Sequence, residues 1–434
     1  MRLTQDADLN TWLAYIAQRH TPEIILGLER IEVIAQRLHL DNFDCPVITV
    51  AGTNGKGSTV AVLQNLYSSA GYRVGSYYSP HLHHFTERVM INNKSVNEVA
   101  LCQAFGEIEA ASTGIPITFF EFITLAALLL FKNSALDVII LEVGLGGRLD
   151  AVNCVNNDIA ILTQVAFDHC ERLGNDRESI GAEKAGIFRK NAKAICGDPN
   201  PPHTVSDYAK KLSCDFFSLG KEFNYVQQGQ YWSWWSGAVH YADLPRPQVP
   251  ITSAACALMA CHLLAERLAI NPQHIFSAVK NTSLPGRFQV VQATCPIIFD
   301  VAHNPAAANF LAEQLSHFHN NSIGNTYAIF SLLADKDLDG VIAPMVGIVD
   351  EWHVIQLSTE RAAKSADITQ RITGFFNQPC YNHAEVATMW QILGEKLQPL
   401  DRVVVFGSFY TVAAVQEEMK IRADSSCESL TFLG

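Results

Sequence analysis

Charge is what this chain has least of. Of its 434 residues only 17% are Asp, Glu, Lys or Arg, against about a quarter in an average globular domain. With 48% of residues hydrophobic, much of the length must lie in core, which excludes disorder over most of it. Lysines and arginines never form a run and the formal net charge is −12, so the basic footprint of a nucleic-acid binder is missing and no nucleic-acid partner is expected. Long hydrophobic runs are missing too. The longest apolar segment, FITLAALLLF at 122–131, is too short to span a bilayer, and the opening MRLTQDADLN has no basic region followed by an apolar stretch, so neither a membrane anchor nor export is expected. Eleven cysteines (Cys45, Cys102, Cys154, Cys170, Cys196, Cys214, Cys256, Cys261, Cys295, Cys380 and Cys427) are scattered with no Cys-x-x-Cys pair. They fit neither a disulfide framework nor a zinc site, and a reducing, cytoplasmic compartment is expected.

What is present is an alternation. Short apolar runs end in small or polar residues and lead into longer helix-like stretches, the pattern of a parallel α/β sheet. PVITV (46–50) runs into AGTNGKGS, RVGSYY (73–78) into SPHLHHF, DVIIL (137–141) into EVGLGGRLD, and DIAILTQV (158–165) into AFDHC. The pattern restarts with PIIF (296–299) before DVAHNP, YAIFSL (327–332) before LADKD, WHVIQL (352–357) before STER and RVVVF (402–406) before GSFYT. Open α/β sheets bind ligands at the carboxyl ends of their strands, where these polar clusters fall. The length suits two or three domains. LPGRFQ (284–289) carries the Pro and Gly of a junction, so a larger domain over 1–288 and a smaller doubly wound, Rossmann-like domain over 289–434 are expected. The aromatic stretch 216–241 reads as a small antiparallel hairpin region beside the mainly parallel first sheet.

The strongest chemical signal is Gly52-Thr53-Asn54-Gly55-Lys56-Gly57-Ser58, between a strand and the apolar-periodic VAVLQNLY. Glycines let backbone N–H groups approach phosphates, a helix N-terminus adds positive potential, Lys56 reaches the β/γ oxygens and Ser58 offers a hydroxyl to Mg²⁺. The spacing departs from the usual phosphate loop, with an extra glycine between Lys56 and Ser58; the alternative is a glycine-rich turn with a solvated lysine. Glu142 ends an apolar run as a metal-binding acid does, and Gly144, Gly146 and Gly147 behind it would leave room for a ligand. Ser79 and His169 hold equivalent places, each either a metal donor or a hydrogen-bonded structural residue. Lys184 either sits in an exposed helical ion pair or carries CO₂ as a carbamate, which turns a cation into a carboxylate-like ligand. In the second domain Asp300 is either a ligand contact or a helix cap, and Arg287 clamps phosphate or pairs with a carboxylate.

Taken together, these words resemble one family, the folylpolyglutamate synthases, and in particular the bacterial bifunctional dihydrofolate synthase/folylpolyglutamate synthases of the Mur ligase superfamily. GLER (27–30), GTNGKGS (52–58), SPHL (79–82), ERV (87–89), EVGLGGRLDAVN (142–153), DH (168–169), RESIGAEKAGIFR (177–189), LPGRFQ, DVAHNPAA (300–307), DKD (335–337) and FGSFYT (406–411) occur in family order over nearly the whole chain. The resemblance implies an α/β protein with a P-loop ATPase domain and a C-terminal glutamate-ligase domain. By the same resemblance ATP is held by Asn54, Gly55, Lys56, Gly57, Ser58, Ser253, Arg287 and Asp300, and two Mg²⁺ ions by Ser58, Ser79, Glu142, His169 and a carbamylated Lys184. It places the pterin of dihydropteroate or a reduced folate at Thr118, Phe119, Phe120, Glu121, Leu149, Asp150 and Ala151, where the two phenylalanines could equally be ordinary core, and the incoming L-glutamate at His303 and Ser408. Departures are Tyr78 and Cys170, where threonine is usual, and Ser253, where an asparagine contacting ATP is usual.

The implied reaction activates a carboxylate as an acyl phosphate, which the amine of L-glutamate then attacks. Lys56 and Arg287 neutralise charge, Lys184 completes the metal site, and His303 orients the amine or accepts its proton. ATP touching both domains would make closure part of the cycle, and a monomer is expected. Two rival readings compete with this one. A cell-wall Mur ligase carries a nucleotide-sugar domain ahead of the glycine loop, and only 51 residues precede Gly52. A nucleotide-gated switch protein would not release phosphate in strict dependence on both glutamate and a pterin acid.

Overall fold

The computed structural model describes every residue except 1, 2, 4–6, 20–25, 319–323, 377, 427–430 and 433–434, and side chains as far as residue 420. Two compact units result, Met1–Thr282 and Ser283–Gly434; the division falls a few residues before the 288/289 junction expected from the sequence, and LPGRFQ lies at the start of the second unit.

In the first unit, β1 (Val47–Ala51), β2 (Val74–Tyr77), β3 (Val89–Ile91), β4 (Lys94–Ser95), β5 (Val138–Glu142), β6 (Ile159–Leu162), β7 (Lys193–Cys196) and β8 (Asp215–Ser218) form an eight-stranded sheet ordered β4-β3-β2-β5-β1-β6-β7-β8. Neighbours from β2 to β8 are parallel, and β3 and β4 extend one edge antiparallel. Every residue of β1 and β5 is buried, which is why these runs read as continuously apolar rather than alternating. From β1 the chain crosses to β2, returns through β5, and continues to β6 on the other flank. The carboxyl end of β1 therefore opens at a topological switch point, where a crevice forms. The helix Phe119–Lys132 takes up the long apolar segment and is buried along most of its length. No helix of the described residues is long and apolar enough to cross a membrane.

Two element boundaries differ from the expectation. The strand expected over 158–165 stops at Leu162, because the residues after it bond to the glycine loop instead of continuing between β1 and β7. The aromatic stretch divides: Phe216 to Ser218 belong to β8 and pair parallel with β7. The antiparallel piece is β9 (Asn224–Gln228), β10 (Tyr231–Ser236) and β11 (Val239–Pro245). Trp232 and Trp234 on β10 are fully buried, and Trp234 Nε1 donates to Ala255 O at 3.1 Å on the helix Ile251–Leu263.

The second unit holds β12 (Gln289–Gln292), β13 (Pro296–Phe299), β14 (Thr326–Phe330), β15 (Glu351–Ile355), β16 (Cys380–His383), β17 (Arg402–Phe406) and β18 (Thr431–Phe432), ordered β16-β15-β14-β17-β13-β12-β18. The strands from β16 to β13 are parallel, and β12 and β18 are antiparallel. Phe330 and Phe406, with ring centroids 4.8 Å apart, and Trp352 fill its core. The ten described cysteines are free; Cys427 lies outside the described residues.

Candidate active site

The loop after β1 is built by close approach. Gly52 has φ +151, and a Cβ there would stand 1.9 Å from Thr163 Oγ1, so only glycine lets the loop lie against the end of β6. The Thr163 hydroxyl donates to Asn54 O at 2.7 Å and lies 3.2 Å from Ala51 O. Thr53 donates its N–H to Gln164 O (2.7 Å) and its hydroxyl to Ala166 O (3.0 Å). Gly55, at φ +85, precedes the helix Lys56–Ser69, and its carbonyl accepts from the Thr59 N–H, the Thr59 hydroxyl and Ser253 Oγ (3.3 Å). These bonds tie the loop carbonyls to the protein. The first-turn N–H groups, which have no acceptor within their own helix, are what remains for an anion. Gly57 and Ser58 are buried, and Lys56 Nζ folds over the loop to Gly52 O (3.0 Å) and Thr53 O (3.2 Å). Thr163 carries much of this geometry and was not singled out from the sequence; it lies over a hundred residues away, and no local signal marks it.

Glu142 is the last residue of β5 and is buried, and the backbone N–H of Ser79 donates to its Oε2 at 3.1 Å. Ser79 Oγ is enclosed and finds no hydrogen-bond partner among the described residues. His169 takes the left-handed conformation, φ 52, and Asp168 Oδ1 accepts its N–H at 2.9 Å. The glycines behind Glu142 serve another purpose than the expected room for a ligand. A Cβ on Gly144 would meet the Phe120 ring at 2.5 Å, and one on Gly147 the Glu183 and Lys184 carbonyls at 2.8 Å. They admit neighbouring protein.

The exposed ion pair of the EKAGI segment is made by its glutamate and not by its lysine. Glu183 is in the exposed ion pair, with Arg148 at 2.8 Å. Lys184 is turned inward, 4% exposed; burial first, and then the charge of Lys56, push its amine down to about 7, against the pull of Asp168 and Asp150. At that value a large share of the amine is neutral near pH 7.

Among the described residues no three His, Cys, Asp or Glu side chains converge as a metal cage. The donors expected from the sequence are two hydroxyls (Ser58, Ser79), one carboxylate (Glu142) and one imidazole (His169), of which the structure ties Ser79 to Glu142. That sparse set suits Mg²⁺, which keeps waters and binds nucleotide phosphate oxygens rather than a full protein shell, and the enclosed Ser79 hydroxyl lacks the partner a cation would supply.

Thr118 caps the helix Phe119–Lys132. Its hydroxyl accepts the Glu121 N–H (3.2 Å) while Glu121 Oε2 accepts the Thr118 N–H (2.6 Å), and Arg30 pairs with Glu121 Oε1 at 2.9 Å. Phe119 and Phe120 are half-buried, packed on Phe85 and Tyr77 at 6.3 Å each. Asp150 is buried between Leu149 and Ala151, accepting the N–H groups of Leu145 (2.8 Å) and Val152 (3.0 Å), and burial pushes its carboxyl up to about 6.

In the second unit Asp300 is a loop tie and not the helix cap: it accepts from the N–H of Phe288 (2.9 Å) and of Ala302 (2.8 Å), while Asn304 caps the helix Pro305–His317. Arg287 lies over the Phe409 ring at 5.0 Å, and its charge acts on Asp300. His303 Nδ1 is 2.8 Å from Val301 O. Ser408 is buried, its hydroxyl accepting the Thr411 N–H (3.0 Å) at the start of the helix Phe409–Ser426.

A phosphate loop at the switch point of one parallel sheet, joined to a second doubly wound unit, is the build of a Mur-type ligase, and the family models agree: residues 50–242 match the Mur ligase middle domain and 286–409 the Mur ligase glutamate ligase domain. Over 414 residues the chain is 42% identical to the dihydrofolate synthase/folylpolyglutamate synthase of Escherichia coli K12, covering 95% of this chain and 96% of that one. It therefore belongs to the bifunctional dihydrofolate synthase/folylpolyglutamate synthases. The solved structure of E. coli FolC in complex with DHPP and ADP superposes with a TM-score of 0.93 at 41% identity, covering 97% of this chain and 100% of that chain. A Yersinia pestis bifunctional synthase complexed with AMPPNP and Mn ion gives 0.91 at 40% identity, with coverage of 97% and 100%.

Proposed function

We propose that this chain joins L-glutamate to dihydropteroate, giving dihydrofolate, and to reduced folates, giving folylpolyglutamates, at the expense of ATP. The observation that carries this is the gathering at one sheet crest of a glycine loop, Lys56 and a Glu142 carboxylate tied to a serine whose hydroxyl has no partner among the described residues. A carboxylate cannot lose oxide to an amine. Its oxygen first attacks the γ-phosphorus of ATP, releasing ADP and leaving an acyl phosphate. The glutamate nitrogen then attacks the acyl carbon, and the tetrahedral species collapses by expelling phosphate. Loop N–H groups and Lys56 hold the charge that develops on the phosphoryl oxygens. Ser58, Ser79, Glu142 and His169 would hold two Mg²⁺ ions, which supply further charge neutralisation when bound.

Lys184 is proposed as a further ligand in the carbamate form: the neutral amine attacks CO₂, a C–N bond forms and a proton leaves. Ser253 acts on ATP through the carbonyl of Gly55, in place of the usual asparagine. Phe119, Phe120 and the 149–151 loop receive the pterin, with Thr118 and Glu121 fixing the helix start beside them. In the second unit Arg287 and Asp300 are assigned to ATP, and His303 and Ser408 to glutamate, His303 orienting the amine. The protein is proposed to act as a cytoplasmic monomer. The decisive assay is phosphate release with dihydropteroate and with tetrahydrofolate as acceptors. Release that requires ATP, glutamate and the pterin acid together is expected; release without glutamate would refute the ligase reading.

A further inference from the structure

The segment between β2 and β3 holds an imidazole whose proton position is set by its neighbours. Arg88 Nε donates to His81 Nδ1 at 2.9 Å. A guanidinium has hydrogens to give and no lone pair to offer, so Nδ1 carries the lone pair and the proton of the neutral ring sits on Nε2. Nε2 finds no hydrogen-bond partner among the described residues and is not enclosed by them. The ring is held on both sides of the segment: it packs edge-on against Phe85 at 5.6 Å, and the Arg88 guanidinium covers the same Phe85 at 5.3 Å. Glu87 fixes the backbone by accepting the N–H groups of Leu82 (2.8 Å), His83 (3.1 Å) and His84 (2.8 Å). His81 thus presents one N–H donor that can neither change tautomer nor swing away without breaking these contacts.

Its position decides what it meets. Ser79, with its enclosed hydroxyl and its bond to Glu142, precedes it by two residues, and Phe85, on which it packs, touches Phe119 at 6.3 Å. His81 is thus two residues along the chain from the hydroxyl–carboxylate pair assigned to metal and, through Phe85, one ring away from the segment assigned to the pterin. An acid substrate with its ring at Phe119 and Phe120 and its carboxyl at the phosphates would span the segment that carries this donor. We propose that His81 binds the acid substrate directly, its Nε2–H donating to a carboxyl oxygen of the pterin acid. A neutral donor orients the carboxylate without the ground-state charge pairing by which a cation would blunt the attacking oxygen. The assignment rests on reading 118–121 as part of the pterin pocket.

Two substitutions separate ligand binding from a structural role. His81→Asn keeps an acceptor near Nδ1 for Arg88 but has nothing at Nε2, whereas His81→Gln places an amide N–H near Nε2 and gives up the Nδ1 acceptor. Loss of a hydrogen bond to a charged group should raise the KM for dihydropteroate in His81→Asn roughly ten- to hundredfold, with the KM for ATP and the thermal midpoint little changed. His81→Gln should recover most of that loss. The reverse order, Asn tolerated and Gln impaired, would mean that His81 serves only Arg88 and would overturn the proposal. Phe120→Ala is measured alongside: if it raises the dihydropteroate KM while His81→Asn does not, the His81 assignment alone falls. If neither moves that KM, the pterin reading of 118–121 falls and takes the proposal with it.

Discussion

The backbone N–H of Ser79 donates to Glu142 Oε2 at 3.1 Å, while the hydroxyl of the same serine is enclosed with no partner among the described residues. Strand ends that are distant in sequence are brought together by the β2–β5 register, in which Tyr77 stands beside Leu141. The tie holds the carboxylate in place and leaves an enclosed hydroxyl without a hydrogen bond from the described residues.

Removing that hydroxyl should separate stability from function. Ser79→Ala deletes an unsatisfied buried group, so the thermal midpoint without nucleotide should stay level or rise, by a stability gain of up to about 1 kcal/mol, while ligation is lost. A calorimetric scan set beside a phosphate-release assay checks both. A variant that keeps its turnover would remove Ser79 from the metal site.

Lys56→Ala should abolish ATP-dependent ligation with little change in the melting temperature. The lysine makes bonds to Gly52 O and Thr53 O, but it is only half-buried, so water can take over as donor to these carbonyls when it is removed. Turnover comparable to the unaltered enzyme would remove the phosphate-loop assignment.

Lys184 should respond to CO₂. Because burial holds the amine at about 7, the reactive neutral form grows as pH rises through that value, and stimulation by bicarbonate should grow with it and then level off. Lys184→Ala should lose activity, with partial recovery on adding a small carboxylic acid that fills the vacated space. Electron density for an unmodified amine, in crystals grown with bicarbonate and with metal bound, would show the carbamate reading to be wrong.

Asp150 should leave a mark on the stability profile in acid. Its carboxyl is raised from 3.8 to about 6 by burial, so the folded protein keeps a proton that the unfolded chain gives up. This contribution is full below about pH 4 and fades as the pH climbs through about 6, a loss on the order of 2–3 kcal/mol at most. Denaturant titrations of the unaltered protein and Asp150→Asn across that window should diverge accordingly. In activity assays Asp150→Ala should impair addition of the first glutamate to dihydropteroate more than elongation of a reduced folate; equal losses would argue against a distinct pterin pocket.

The glycine loop between a buried strand and a helix was legible in the sequence because its determinants are neighbours in the chain. The mainly parallel sheet of the first unit and the doubly wound second unit were legible for a similar reason, since strands buried on both faces read as short apolar runs ending in polar crests. What only the tertiary structure decided is which distant groups meet. No pattern in EKAGI tells that Glu183 faces solvent and Lys184 the interior; the packing of the helix end on the loop at Gly147 does. The glycines after Glu142 look like space for a ligand until Phe120 and the Lys184 backbone fill it. Thr163 becomes part of the phosphate loop, and Arg88 fixes the proton of His81, through contacts that no local propensity encodes. The order β2-β5-β1-β6 is set by long crossovers and by the burial of whole sheet faces, and that order, not any single segment, assembles the site.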